Sequence, residues 1–196
     1  MKKVRIGLIG FGFMGTTHWG VYKGLKNAQV VALADLDPAK RKGDISKVVG
    51  NIGGGDNSKP IDLTGVTVYD DALKLIREAD VDMIDICVPT ADHAKLAIAA
   101  LKAGKHVFCE KPMSDSLAEC RAMTAAAKRS GKVFSVGFMF HFDPFVRKVK
   151  ELVDSGRIGT LLHFSSRFAT YNCLKCSVTH HQAHTPYSLV MDCIHD

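Results

Sequence analysis

Four residues near the N-terminus, Gly10, Gly12, Gly15 and Asp35, have the types and spacing that hold a phosphorylated ligand largely through main-chain atoms. The glycines lie in Gly10-Phe11-Gly12-Phe13-Met14-Gly15, directly after the apolar run Val4-Arg5-Ile6-Gly7-Leu8-Ile9, and Asp35 follows Gly15 by twenty positions. In a chain with 17 glycines the motif alone describes only a flexible turn. Here it opens a helix-like stretch, Thr16 to Leu25, and a second apolar run, Val30-Val31-Ala32-Leu33-Ala34, ends in the acid. Strand, glycine turn, helix, strand and acid in that order are the setting of a dinucleotide fingerprint. Gly10 permits the tight turn, Gly12 lets the backbone approach a pyrophosphate, and Gly15 lets the helix pack closely. The phosphates then sit on unpaired N–H groups of the first helical turn, where Phe13 and Met14 lie, and the helix dipole favours negative charge.

Asp35 is placed to accept from the adenosine ribose hydroxyls and to repel a 2′-phosphate, so NAD is the expected cofactor. NADP stays open because Lys40, Arg41 and Lys42 follow closely, although their plainer reading is a solvated helix face.

The elements that must carry these residues alternate along the chain. After the first strand–helix–strand unit, Gly43 to Gly65 has few periodic apolar positions and reads as a surface insertion. Strands are expected at Val66–Tyr69, Met83–Val88, His106–Cys109 and Val133–Gly137. Between them come helices capped by Asp70 or Asp71 and running through Glu78, capped by Asp92 over His93–Ala103, and over Leu117–Arg129. The fold class is therefore α/β, a Rossmann doubly wound parallel sheet with helices on both faces. Asp143 and Pro144 start a connecting helix that runs through Val153, and Thr160 to Ala169 reads as the first strand of a different sheet. The expected domains are residues 1–140, dinucleotide-binding, and 141–196, the connecting helix and the beginning of an α+β domain that stops short.

Composition agrees with an ordinary cytoplasmic α/β protein. At 46% apolar and 23% charged residues the chain can bury a full core. A net charge of +6 is scattered, with no basic block interleaved with aromatics, so nucleic acid is not an expected partner. No run approaches the roughly 18 apolar residues of a membrane span. The six cysteines form no secretory pattern and are expected as reduced thiols.

Ligands of open α/β sheets bind at the carboxyl edge of the strands. Three segments reach it: Gly10–Gly15, Pro89-Thr90 and Glu110-Lys111-Pro112. Pro112 biases Lys111 toward an extended backbone, which holds a cation at the end of a buried strand. The competing reading is a surface lysine before a turn.

Through Gly10–His18, Val88–His93 and Ala103–Pro112 the chain resembles the glucose-fructose oxidoreductase, inositol dehydrogenase and MocA family. Gly156-Arg157-Ile158-Gly159 and Met191-Asp192-Cys193-Ile194-His195-Asp196 extend the match. The resemblance implies NAD(P)-linked oxidation or reduction of a sugar, polyol or related carbinol. It implies that Lys111 touches cofactor and substrate and precedes a cis proline, and it groups Pro89, Thr90, His93 and Glu110 with the cofactor-binding residues. It also implies that His195 is the base for the hydroxyl proton, that Lys111 stabilises the developing charge on oxygen, and that Asp192 orients the substrate or the imidazole. The Asp192-to-His195 spacing is one shorter than in many members, and His141 stands where an arginine is frequent.

Members usually continue further, completing a large antiparallel sheet that closes the substrate site and often forms a dimer interface. A fragment is therefore expected, homo-oligomeric if its second domain were complete; a catalytically weak NAD-binding remnant or sensor is the alternative function. Cys173, Cys176, His180, His181 and His184 contain enough ligands for zinc, but their short spacing favours a plain loop, and no metal is expected. His18 and His93 read as helix-start residues near the cofactor, and His163 as solvent-facing.

Overall fold

A computed structural model of the chain describes residues 3–50 and 58–163. They divide into two units, one ending at Gly137 and one beginning at Phe138. In the first, six strands form a single sheet: β1 Val4–Ile9, β2 Ala28–Ala34, β3 Thr67–Tyr69, β4 Met83–Ile86, β5 His106–Cys109 and β6 Phe134–Val136. Their order is β3-β2-β1-β4-β5-β6, and every pairing is parallel. The order reverses direction beside β1, so the carboxyl ends of β1 and β4 flank the crevice where such sheets take ligands.

Helices α1 Phe13–Gly24, α2 Ala72–Glu78, α3 His93–Lys102 and α4 Leu117–Ser130 connect the strands. The period of two along each strand divides the core between the sheet's two faces. Ile6 and Leu8 of β1 join Trp19 of α1 and Leu33 in one cluster. Ile9 joins Leu75, Ile76, Leu96, Leu101 and Met123 of α2, α3 and α4 in the other. Gly7 shares the second face, where a methyl group at its Cα would lie 2.7 Å from Leu75 Cδ2, so the absent side chain admits the leucine.

The segment expected as a surface insertion is partly core. Ile45 is buried, and Val48, Ile61 and Leu63 pack on the α1 face in the same cluster as Trp19, Val30 and Leu33, where they extend the apolar cover that α1 begins. The Ile61 N–H closes this lid on the Gly43 carbonyl. Local chemistry explains the other boundaries. Asp71 caps α2 through the Lys74 N–H, Ser116 caps α4 through the Glu119 N–H, and Gly131 ends α4 in the left-handed region. Asp92 makes no side-chain cap. Its backbone already follows the tight turn Thr90–Asp92, whereas a cap needs an extended residue.

In the second unit Asp143 caps α5, Pro144–Asp154, through the Phe145 and Val146 N–H groups, with Pro144 in the first turn. Residues 160–163, including exposed His163, form no strand, and the rest of the expected strand lies outside the described residues. Among the described residues no helix is long and apolar enough to cross a membrane.

Leu75 tests the packing account because it is fully buried against Gly7 and the central strands. Leu75→Ala is expected to lower stability by about 2–5 kcal/mol, read as an earlier urea midpoint with an unchanged m value.

Candidate functional site

Two close approaches shape the turn after β1. Gly10 has φ +90°, and a side chain there would strike the Cys87 carbonyl at the end of β4. A side chain at Gly15 would strike the carbonyl of Gly10, so the first turn of α1 presses against the chain that leads into it. Gly12 differs, since a methyl group there would meet no atom within 4 Å. That open space lies at the N-cap of α1, where no side chain accepts from the helix and its first turn holds no acid. By contrast α2, α4 and α5 bring their own caps. Among the described residues no side chain caps the N–H groups at Phe13, Met14 and Gly15, which suits this turn to an anion.

Asp35 completes the cradle. Its carboxylate accepts from the Phe11 N–H at 2.6 Å and from the Asp37 N–H at 2.8 Å, which fixes it beside the glycine turn. Arg41 donates to the carbonyls of Asp35 and Leu36 at 2.9 and 2.8 Å. Of the three basic residues considered for a phosphate, Arg41 is thus engaged with backbone.

At the neighbouring strand ends, Glu110 follows β5 and is nearly buried, and Lys111 follows it with a cis bond to Pro112. The Lys111 N–H donates to Glu110 Oε2 at 3.1 Å, while its ammonium has no partner among the described residues. His93 is 1% exposed, with Nδ1 2.8 Å from the Pro112 carbonyl and Nε2 2.9 Å from the Val88 carbonyl. It ties the loop carrying Pro89 and Thr90 to the loop carrying Lys111, and both ring nitrogens are engaged within the protein. Asp192 and His195, and the group Cys173, Cys176, His180, His181 and His184, lie outside the described residues.

A charge network that sequence reasoning missed lies behind this edge. Register pairs Asp85 of β4 with Phe108 of β5, so Asp85, Cys87, Phe108 and Glu110 share the parity that faces α1. From α1, His18 places Nδ1 2.9 Å from Asp85 Oδ2 and Nε2 3.1 Å from Glu110 Oε1. One turn along, the Tyr22 hydroxyl donates to the same Asp85 oxygen at 2.9 Å. Asp85 is fully buried. Burial by itself lowers the His18 pKa, but the hydrogen bonds to Asp85 and Glu110 outweigh it and hold the ring at about 9. Burial, then the Asp85 charge, raises Tyr22, and burial followed by Asp85 and Glu110 keeps Cys87 a thiol. His18, Asp85 and Cys87 also converge within 4.8 Å, a possible metal grouping among the described residues, but hydrogen bonds already satisfy them. The available signal was Asp85 itself, an acid inside Met83-Ile84-Asp85-Ile86, because a buried carboxylate must have partners.

Residues 4–138 match the model of the Gfo/Idh/MocA family, an oxidoreductase family with an NAD-binding Rossmann fold. The chain belongs to this family. It is 34% identical to a myo-inositol 2-dehydrogenase of Thermotoga maritima, over 84% of this chain and 45% of that protein. It is 36% identical to an inositol 2-dehydrogenase of Azotobacter vinelandii, over 85% of this chain and 46% of that one. Among solved structures it is similar to the scyllo-inositol dehydrogenase of Lactobacillus casei with bound NAD(H) and scyllo-inositol. That match has TM-score 0.66 and 28% identity, covering 81% of this chain and 43% of the other. The chain thus spans about half the length of these Gfo/Idh/MocA relatives.

Two measurements check the site. Gly12→Ala is expected to keep the wild-type urea midpoint and to weaken NAD binding by about tenfold or more by calorimetry. His18, with a folded pKa above its ordinary 6.5, contributes stability in full below pH 6.5 and loses it as pH rises through about 9. Urea titrations across that window should show the decline, and His18→Gln should flatten it.

Proposed function

We propose that this chain forms the cofactor-binding part of an NAD-dependent oxidoreductase acting on the CH–OH group of a polyol or sugar. The observation that carries the reading is the uncapped first turn of α1 facing open space at Gly12, beside a fixed Asp35. The residues fit the cofactor: Phe13, Met14 and Gly15 offer N–H groups to its pyrophosphate, and Asp35 keeps lone pairs for the adenosine ribose. Pro89 and Thr90 line the same strand edge. When bound, NAD supplies the hydride acceptor.

The chain's own residues do the rest. The Lys111 ammonium, unpartnered among the described residues, holds the substrate oxygen and stabilises its negative charge as the proton leaves. Asp192 and His195 are assigned by family resemblance, His195 to take that proton and Asp192 to orient the substrate or the imidazole. Similarity to several inositol dehydrogenases supports a cyclic polyol as the substrate class. The Asp35 carboxylate beside the glycine turn disfavours a 2′-phosphate, and Arg41, held on two carbonyls, offers little compensation.

Lys111→Ala is expected to lower turnover of an inositol and sugar panel by at least about a thousandfold, read as NADH absorbance, with NAD affinity within about threefold of wild type. Calorimetry should give NAD at least about tenfold tighter binding than NADP. Cofactor binding without turnover of any panel member contradicts the oxidoreductase reading of this chain and favours the alternative of an NAD-binding remnant or sensor.

A further inference from the structure

We propose that His18 is a positioning residue for Lys111, acting through Glu110 and tying the helix that seats the dinucleotide to the strand end that carries the lysine. The proposal rests on the role given to Lys111 above. Its own support is a continuous chain of contacts within the first unit: Asp85 to His18 at 2.9 Å, His18 to Glu110 at 3.1 Å, and Glu110 to the Lys111 N–H at 3.1 Å.

The Glu110 carboxylate is held from three directions. His18 takes Oε1, the Lys111 N–H takes Oε2, and Gly137 stands behind it, where an added methyl group would come within 3.1 Å of Oε1. The Phe108 ring, 5.6 Å from the His18 ring, shields the pair. The titratable groups facing His18 are Asp85 and Cys87 from the β4 end, Glu110 from the β5 end, and Tyr22 from α1. Remove the imidazolium and two buried carboxylates are left with a hydroxyl, a thiol and one backbone N–H between them. Buried charges are not held in that state, so Glu110 must turn outward or take a proton. Either response weakens the bond that orients the Lys111 backbone, and the ammonium shifts with it.

The test is the Lys111 backbone amide followed by NMR, with NADH affinity measured alongside. In the wild-type chain the amide resonance is expected to move with a midpoint near pH 9, tracking the His18 ring. In His18→Gln that transition should vanish and hydrogen exchange at Lys111 should quicken by about tenfold or more, while the Phe13–Gly15 amides and NADH affinity stay within about threefold of wild type. Gly137→Ala presses on the carboxylate without removing a charge, so it should displace the Lys111 amide and leave His18 titrating. That variant decides the matter if His18→Gln does not fold. Where the chain turns over a polyol, His18→Gln should lower kcat and leave the KM for NAD unchanged. A wild-type chain without turnover defeats the functional reading, and the amide measurements still decide this one. An unmoved Lys111 amide in both variants, or stoichiometric Zn²⁺ held by His18 in the purified chain, would overturn it.

Discussion

Backbone pressed against backbone at Gly10 and Gly15 is the constraint on which the rest of the structure depends. A side chain at either position would collide with a carbonyl oxygen, of Cys87 in one case and of Gly10 in the other. That contact sets β1, β4 and α1 together at the point where strand order reverses. It also leaves the first turn of α1 beside open space at Gly12, with no side-chain cap among the described residues. The other helices that carry caps consume this electrostatic opportunity themselves. In α1 no side chain takes it among the described residues, and under the proposed function it serves the pyrophosphate, with Asp35, tied to the Phe11 N–H, at the ribose end.

The same helix serves a second purpose on its buried side. Trp19 fills the apolar cluster over β1 and β2, while His18 and Tyr22 turn toward β4 and β5. The polar stripe they meet follows from strand parity: Asp85 and Cys87 along β4 and its end, Phe108 and Glu110 along β5 and its end, all face α1. Burying Asp85 without compensation would be costly, so the imidazolium makes the stripe tolerable. One helix thereby touches both the glycine turn and, through Glu110, the backbone of Lys111.

Much of this was legible in the sequence, for identifiable reasons. The glycine spacing, the acid after β2 and the alternation of apolar runs express local rules, and they gave the parallel sheet and the turn. Boundaries shifted where local rules compete. Asp92 looks like a cap, yet its residue sits in a tight turn with no extended backbone to present the carboxylate. The stretch after Gly43 lacks periodicity because it is a lid, whose Ile45, Val48 and Ile61 are chosen by the surface beneath them. The charge network was hidden for a different reason: His18 and Asp85 are 67 residues apart and meet only because α1 packs across β4, while the register of β4 against β5 brings Glu110 to the same face. The bridge that His93 makes between the Val88 and Pro112 carbonyls also joins loops distant in sequence, and local rules do not show it.

The central claim is that the main-chain amides opening α1 hold the pyrophosphate of NAD. Titrating the isotope-labelled chain with NADH, and separately with adenosine, measures this residue by residue. The account predicts that NADH moves the amide resonances of Gly12, Phe13, Met14 and Gly15 more than any others, and that adenosine, which carries no phosphate, leaves them in place. Saturating NADH that left those amides unmoved, or that shifted only the Leu117–Lys128 face of α4, would contradict it.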